Sequence, residues 1–220
     1  MENFKIFINF KTYPQGTGKK AVELAQICEE VSKGESEVIP IVQAVDLSEV
    51  KKAVKIPVWV QHLDWQPQGQ FTGFTNLEAV IEAGAVGTLL NHSEHQIPPG
   101  SVKQTISRIK NLKLEIKNFE VMLCCKTLGQ MEKLVKLQPD YIAYEIAELI
   151  GTKTSICETA PKAVEHAVKI CAKIPLIVGA GIHSNKDLEV AEKLGAKGVL
   201  ISSAVVLDKN PRNKLLELLS

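Results

Sequence analysis

The sequence of 220 residues predicts an α/β fold, a single-domain (β/α)8 barrel, from the order and spacing of its apolar segments. Short runs rich in β-branched residues alternate with segments of helical periodicity from one end of the chain to the other. No change in composition marks a linker, so residues 1–220 are expected to form one domain. Alternation with short connections is typical of parallel strands, and eight such units fit a closed barrel near the lower end of its size range.

Each predicted strand is a short apolar run that ends at a loop. The eight strands are residues 5–8, 38–42, 57–60, 87–90, 120–123, 141–144, 175–178 and 198–201. Eight predicted helices have apolar residues that recur with the period of an α-helix, while their Lys and Glu residues face water. They are residues 19–32, 47–54, 76–83, 102–112, 128–137, 161–171, 185–194 and 211–218. Gly84 and Gly195 are suited to left-handed caps that end two of these helices before the next strand.

The alternative to a closed barrel is an open, doubly wound sheet. Such sheets commonly bind a dinucleotide through a GxGxxG motif directly after the first strand. Here the first strand is followed by Asn9-Phe10-Lys11 instead. The sequence therefore favours the barrel.

Composition and charge exclude several classes of function. The formal net charge of +1, from 26 basic and 25 acidic residues, provides no long-range field that would recruit nucleic acid or an anionic membrane. Residues 1–5 lack the pattern of a signal peptide, and no apolar run approaches the ~20 residues of a membrane-spanning helix.

The five cysteines are an odd number without CxxC spacing, so we expect reduced, mostly buried thiols and a cytoplasmic location.

Three polar clusters stand where a predicted strand ends. Asn9-Phe10-Lys11 follows the first strand, Asn91-His92-Ser93-Glu94 the fourth, and Tyr144-Glu145 closes the sixth. The carboxyl ends of the strands in a (β/α)8 barrel meet at one rim, and enzymes with this fold carry their active sites there. A lysine, a neutral histidine and a carboxylate at that rim can polarise a carbonyl group and remove the proton beside it. The sequence therefore predicts a proton-transfer site.

The histidine of this site is expected to be neutral. Ser93-Glu94 is predicted to begin a short helix, and the positive end of a helix dipole disfavours an imidazolium. A metal site formed by His92 and His95 with Glu94 or His62 is disfavoured, because such spacing is common by chance. No metal or cofactor is expected, since a proton transfer to and from one carboxylate needs neither.

Further candidate residues follow the sixth, seventh and eighth strands. Glu145 leaves an apolar strand directly, whereas the competing carboxylate, Glu148, is expected to face solvent. Residues 146–153 are long enough to form a lid. Small residues at 179–181 and 202–203 allow backbone N–H groups to approach a phosphate, which many barrels bind at this position.

Together these motifs resemble the triosephosphate isomerase family, and in particular its short archaeal-type branch. The motifs are Asn9-Phe10-Lys11-Thr12-Tyr13, Gln61-His62, Thr72-Gly73, Leu90-Asn91-His92-Ser93-Glu94, Tyr144-Glu145, Glu148-Leu149-Ile150-Gly151-Thr152, Gly179-Ala180-Gly181-Ile182 and Gly198-Val199-Leu200. The likeness runs almost from end to end. It implies a TIM barrel that interconverts dihydroxyacetone phosphate and D-glyceraldehyde 3-phosphate through an enediolate, in glycolysis and gluconeogenesis.

The resemblance also implies a role for each site residue. Glu145 would move the proton between the two carbons, His92 would act as the neutral electrophile, and Lys11 would supply positive charge. Glu94 would orient the site through Lys11. Substrate contacts are implied for Asn9, Lys11, Ile150, Gly151, Gly179, Gly181, Ser202 and Ser203. The triose phosphate would be the only small-molecule partner.

An assembly of identical subunits is a further implication. The loop of residues 62–74 would reach the neighbouring subunit through Thr72 and Gly73. The branch often forms tetramers, but residues 111–119 are longer than usual around the fourth helix, so a dimer and a tetramer both stay open. Large apolar side chains such as Trp65 and Phe71 in this loop agree with a contact surface.

The sequence departs from the family pattern in the predicted lid. Ile146-Ala147 occupies a hinge where the family has proline after the glutamate, and Lys153 replaces a glycine. Without the proline, the open lid samples more backbone conformations, so closing the lid costs about 1 kcal/mol more in conformational entropy. A slower enzyme is therefore expected.

Two other functions are to be weighed against the isomerase. One is a degenerate phosphosugar-binding barrel with an impaired lid and little or no isomerase activity, against which the retention of Lys11, His92 and Glu145 argues. The other is a different phosphosugar reaction, as in pentose-phosphate epimerases or phosphoribosyl isomerases. Those chemistries need paired acids with metal-binding histidines, or a pair of aspartates, and the three residues fit neither.

Overall fold

Eight parallel strands form a closed barrel in the computed structural model, which describes residues 4–32, 37–112, 119–146, 149 and 155–220. Each strand pairs with the next along the chain, and the eighth pairs with the first, with Lys5 opposite Gly198. The strands are β1 (Lys5–Asn9), β2 (Glu37–Val42), β3 (Trp59–Val60), β4 (Gly87–Leu90), β5 (Glu120–Cys125), β6 (Tyr141–Tyr144), β7 (Leu176–Gly179) and β8 (Gly198–Ile201). Closure confirms the predicted fold class and excludes the open sheet.

Helices follow the strands along the chain and pack their apolar faces on the outside of the barrel. In the described ranges they are α1 (Lys19–Val31), α2 (Leu47–Ala53), α3 (Leu77–Glu82), α4 (Pro99–Leu112), α5 (Leu128–Leu134), α6 (Ile156–Thr159), α7 (Pro161–Cys171), α8 (Asn185–Lys193), α9 (Ser203–Val206) and α10 (Pro211–Leu219). All eight predicted helices are present. The sequence analysis missed α6 and α9, which lie in the connections after β6 and β8.

Aromatic side chains fill the interior of the barrel. The ring centroids of Phe7 and Trp59 are 5.0 Å apart, and those of Trp59 and Tyr141 are 5.9 Å apart, both in edge-to-face arrangements. Gly87 makes room for this cluster, because a Cβ atom there would collide with the Trp59 indole. Because the interior is filled with side chains, it is a packed core, and a ligand site has to lie at a rim.

The predicted glycine caps are confirmed. Gly84 and Gly195 have φ angles of +97° and +98°, a left-handed backbone that glycine adopts without steric cost. Each N–H donates to a carbonyl oxygen in the last turn of the preceding helix, at 2.9 Å. The chain is thereby turned directly from α3 into β4 and from α8 into β8.

The cysteines are free, buried thiols, as expected. Burial raises the pKa of Cys28 and of Cys171 to about 12. Burial also raises the pKa of Cys157, to about 11. At neutral pH these groups stay protonated and serve as small apolar side chains. In the described part of the chain, every helix is too short or too polar to cross a membrane.

Candidate active site

The three polar clusters gather at the carboxyl rim of the barrel, as predicted. Asn9 is the last residue of β1, His92 lies two residues beyond β4, and Glu145 follows β6 directly. A single pocket is lined by these three residues together with Lys11. The loops after β7 and β8 complete its wall, through residues that include Gly181, His183, Ser202 and Ser203.

His92 and Glu145 form the centre of this pocket. Both are buried, and Nε2 of His92 lies 3.1 Å from Oε2 of Glu145. The backbone N–H of Glu94 donates a hydrogen bond to Nδ1 of His92 at 3.2 Å. In the neutral ring, Nδ1 therefore carries no proton and the proton lies on Nε2. A proton donor and a potential base thus stand side by side.

The predicted short helix at Ser93-Glu94 is wrong. Residues 92–95 form a turn, closed by a hydrogen bond of 2.9 Å from the N–H of His95 to the carbonyl oxygen of His92. Asn91 enters the turn with a φ of +62° and donates through Nδ2 to the carbonyl oxygen of Cys124 at 3.0 Å. Asparagine tolerates this left-handed backbone better than most residues. The helix whose dipole was expected to keep the ring neutral therefore does not begin at Ser93-Glu94, and the hydrogen bond from Glu94 sets only the tautomer of the neutral ring.

The charge state of His92 depends on its neighbours. Burial lowers the pKa of His92, but the contact with Glu145 and the negative charges of Glu145 and Glu94 raise it more, so its pKa lies above the ordinary value. Lys11 acts in the opposite direction. Without substrate, Glu145 therefore favours the imidazolium, and a substrate oxygen placed at Nε2 would favour the neutral donor.

A change of Glu145 to glutamine is expected to lower the pKa of His92. The amide carries no negative charge to favour the imidazolium, so the lowering of the His92 pKa by burial is less opposed. Nuclear magnetic resonance titration of the imidazole nitrogens measures this shift directly. The exposed His166 in the same spectra is the internal control. A His92 pKa that is unchanged or higher in the variant would show that Glu145 does not control this ring.

Lys11 brings a positive charge to the same pocket. Its Nζ lies 2.6 Å from Oε1 of Glu94, so the predicted contact between these two residues is present. The backbone of Lys11 has a φ of +49°, and its N–H donates to Oδ1 of Asn9 at 3.0 Å. The Lys11 side chain is largely buried, whereas that of Glu94 is half-exposed.

Gly179 lies against Glu145 and does not line the pocket. A Cβ atom at this position would lie 2.7 Å from Cγ and Oε1 of Glu145. The N–H of Glu145 donates to the carbonyl oxygen of Cys125 at 3.0 Å, which continues the ladder between β5 and β6. Glycine at 179 therefore leaves the space in which the carboxylate sits.

Small residues form a further part of the pocket wall. Ala180 and Gly181 have φ angles of +74° and +71°, so the chain turns sharply after β7. Within the described residues, the buried hydroxyl of Ser202 has no hydrogen-bond partner. Gly181, Ser202 and Ser203 thus lie where the sequence analysis expected a phosphate. The predicted Ile150 and Gly151, and Ala147, Glu148 and Lys153 of the predicted lid, lie outside the described residues.

Two residues of the site had no role in the sequence analysis. His183 lines the pocket, and nothing in its sequence context distinguishes it from an ordinary loop histidine. Gln61 follows β3, and its Nε2 donates to the carbonyl oxygen of Lys11 at 2.9 Å. Gln61 stood among the motifs that carry the family resemblance, but the sequence did not indicate its contact with Lys11, which is 50 residues away in the chain.

The fold and its rim place the chain in a class, the (β/α)8-barrel enzymes. A family model for triosephosphate isomerase matches residues 4–219. The chain belongs to the triosephosphate isomerase family, as its sequence motifs suggested.

Curated relatives match over nearly their whole length. The triosephosphate isomerase of Methanothermobacter thermautotrophicus is 36% identical over 220 residues, which cover 98% of this chain and 94% of that protein. The one from Methanocaldococcus jannaschii is 37% identical over 219 residues, with coverage of 97% and 98%. The one from Metallosphaera sedula is 36% identical over 216 residues, with coverage of 96% and 92%. All three are archaeal proteins, in agreement with the branch that the sequence resembles.

Proposed function

We propose that this protein interconverts dihydroxyacetone phosphate and D-glyceraldehyde 3-phosphate, a step of glycolysis and gluconeogenesis. The observation that carries the proposal is the distance of 3.1 Å between Nε2 of His92 and Oε2 of Glu145 in one pocket with Lys11. An aldose and a ketose related by a hydrogen shift need a base that removes a proton and a donor that polarises the carbonyl group. The names of the relatives describe the same activity.

The reaction follows from these three groups. The carboxylate of Glu145 takes a proton from the carbon beside the carbonyl group, and the electrons move onto the carbonyl oxygen to give an enediolate. The Nε2–H group of His92 and the ammonium group of Lys11 stabilise the negative charge on oxygen. The hydroxyl proton of the first carbon passes to the former carbonyl oxygen, and the protonated Glu145 returns its proton to the former carbonyl carbon while the first carbon becomes the new carbonyl carbon. Atoms and electrons balance within the substrate, so this path uses no cofactor.

We assign substrate binding to two groups of residues that line the pocket. Asn9 and Lys11 would lie beside the reacting carbons, and the turn at Gly181 with Ser202 and Ser203 would receive the phosphate. Gly179 would act indirectly, because the absence of a side chain there leaves the space that the Glu145 carboxylate occupies. The family resemblance adds Ile150 and Gly151 as contacts made by a closed lid.

The test is a coupled assay of the purified protein with D-glyceraldehyde 3-phosphate, in which a dehydrogenase specific for dihydroxyacetone phosphate reports the product. Turnover that saturates with substrate is expected. Tight binding of a phosphosugar without turnover would instead favour the degenerate barrel. The complete set of Lys11, His92 and Glu145 in one pocket supports the enzyme over that alternative.

We also propose that copies of this chain associate through the loop of residues 62–74. Phe71 and Phe74 are 40% and 47% exposed, with ring centroids 6.3 Å apart, and they flank Thr72 and Gly73. Such neighbouring aromatic rings on a loop are costly to leave in water. The rim beside Asn9 and Lys11 would receive this loop in the neighbouring subunit.

Replacing Phe71 and Phe74 together by serine is expected to shift the protein toward monomers in sedimentation velocity. A matched control is Leu216→Ser, since Leu216 is 42% exposed on α10, outside the loop. A wild-type monomer at micromolar concentration, or dissociation caused equally by Leu216→Ser, would refute this contact. The number of subunits follows from the same measurement.

A reducing compartment, the cytoplasm, is the location that we propose. The five cysteines are buried as free thiols, which is common in proteins kept under reducing conditions.

A further inference from the structure

The backbone of Lys11 is held in an unfavourable conformation. Its φ of +49° lies in the left-handed region, which side chains with a Cβ atom seldom adopt. Both polar groups of its peptide backbone are bound by side chains. Its N–H donates to Oδ1 of Asn9 at 3.0 Å, and its carbonyl oxygen accepts from Nε2 of Gln61 at 2.9 Å. Two side chains therefore hold a conformation that the residue would not keep by itself.

Gln61 is well anchored for this purpose. It follows β3 directly, and its own N–H donates to the carbonyl oxygen of Val42 at 3.1 Å, in line with the sheet. Its side-chain amide lies between the carbonyl oxygens of Lys11 and Ile41, with the second at 3.5 Å. The donor thus belongs to the rigid barrel, whereas Lys11 belongs to the loop after β1.

The position of the Lys11 backbone determines where its ammonium group points. From this backbone Nζ reaches Oε1 of Glu94 at 2.6 Å, and the N–H of Glu94 donates to Nδ1 of His92. If the backbone of Lys11 relaxed toward an ordinary φ, its side chain would leave the pocket in another direction. Both the charge beside the substrate and the contact with Glu94 would then be altered.

We propose that Gln61 is a positioning residue, which holds the backbone of Lys11 so that its ammonium group faces the substrate. The inference rests on the proposed isomerase function and adds to it a residue that acts through Lys11. Gln61 need not touch the substrate for this role. Its effect on catalysis should therefore vanish when Lys11 no longer carries a charge.

Gln61→Met tests the proposal, because methionine has similar length but no donor. We expect kcat/KM to fall about tenfold or more, since small misplacements of a catalytic group cost up to ~100-fold. Most of the loss should appear in kcat, because the proposed role of the ammonium group is to stabilise the negative charge that develops on oxygen in the transition state. Gln61→Leu is a second variant without a donor. Gln130→Met is the matched control, since Gln130 makes a comparable bond of 3.0 Å with the N–H of Lys126.

A double-mutant cycle with Lys11→Met separates positioning from a merely structural role. In the Lys11→Met background, Gln61→Met is expected to change kcat/KM less than twofold, because no ammonium group remains to be misplaced. A full tenfold loss in that background would overturn the proposal, as would wild-type kcat/KM in both Gln61 variants. An inactive wild-type protein would refute the proposed function instead, so the two failures are distinguishable.

Discussion

Glu145→Gln is expected to lower kcat by about 10²- to 10⁴-fold, the contribution of a well-placed general base. Glutamine has the shape of glutamate and fits the same space above Gly179, but its amide cannot accept the proton from the substrate carbon. KM should change little, because the proposed phosphate contacts at Gly181, Ser202 and Ser203 are not altered. Steady-state kinetics of the purified variant measure both quantities.

The control for this variant is Glu165→Gln, which makes the same chemical change at an exposed position on α7. Its kcat should equal that of the wild type. Glu148→Gln tests whether Glu148, the other carboxylate that the sequence offers, acts as the base. If kcat fell with Glu148→Gln and not with Glu145→Gln, the base would be Glu148 and our assignment would be wrong.

His92→Gln is expected to lower kcat by about 10²- to 10³-fold. The variant loses the Nε2–H donor that faces Glu145, and the N–H of Glu94 loses its partner at Nδ1. Because negative charge grows on the substrate oxygen in the transition state, the loss should appear in kcat more than in KM.

His166→Gln on α7 is the corresponding control, since His166 is exposed and distant in the chain from the rim clusters. Thermal unfolding of both variants shows whether the fold is kept. A His92→Gln protein with wild-type kcat and a raised KM would mean that His92 only binds substrate and does not act as the electrophile.

Much of the fold was predictable because apolar residues recur with different periods in strands and in helices. The elements that the sequence analysis missed or misplaced have physical reasons as well. Helices α6 and α9 have four residues each, about one turn, so no period can be detected in them. Strand β3 is Trp59–Val60, shorter than the predicted 57–60, and Pro57 has no N–H to donate to a neighbouring strand.

The location of the site was predictable, but its internal contacts were not. Polar residues directly after apolar strands had to meet at one rim, which brought Lys11, His92 and Glu145 together. The turn at residues 92–95 and the bond from Gln61 to Lys11 depend on the positions of atoms distant in sequence. No local pattern records such contacts, so a three-dimensional structure was needed to find them.

The fate of hydrogen during turnover in deuterium oxide tests the central claim most directly. A proton on the carboxyl group of Glu145 exchanges with solvent, so D-glyceraldehyde 3-phosphate made from unlabelled dihydroxyacetone phosphate should carry deuterium at the carbon next to its carbonyl group. Glu145→Gln should give no incorporation above the rate without enzyme. Incorporation by Glu145→Gln at the wild-type rate would contradict proton transfer by Glu145.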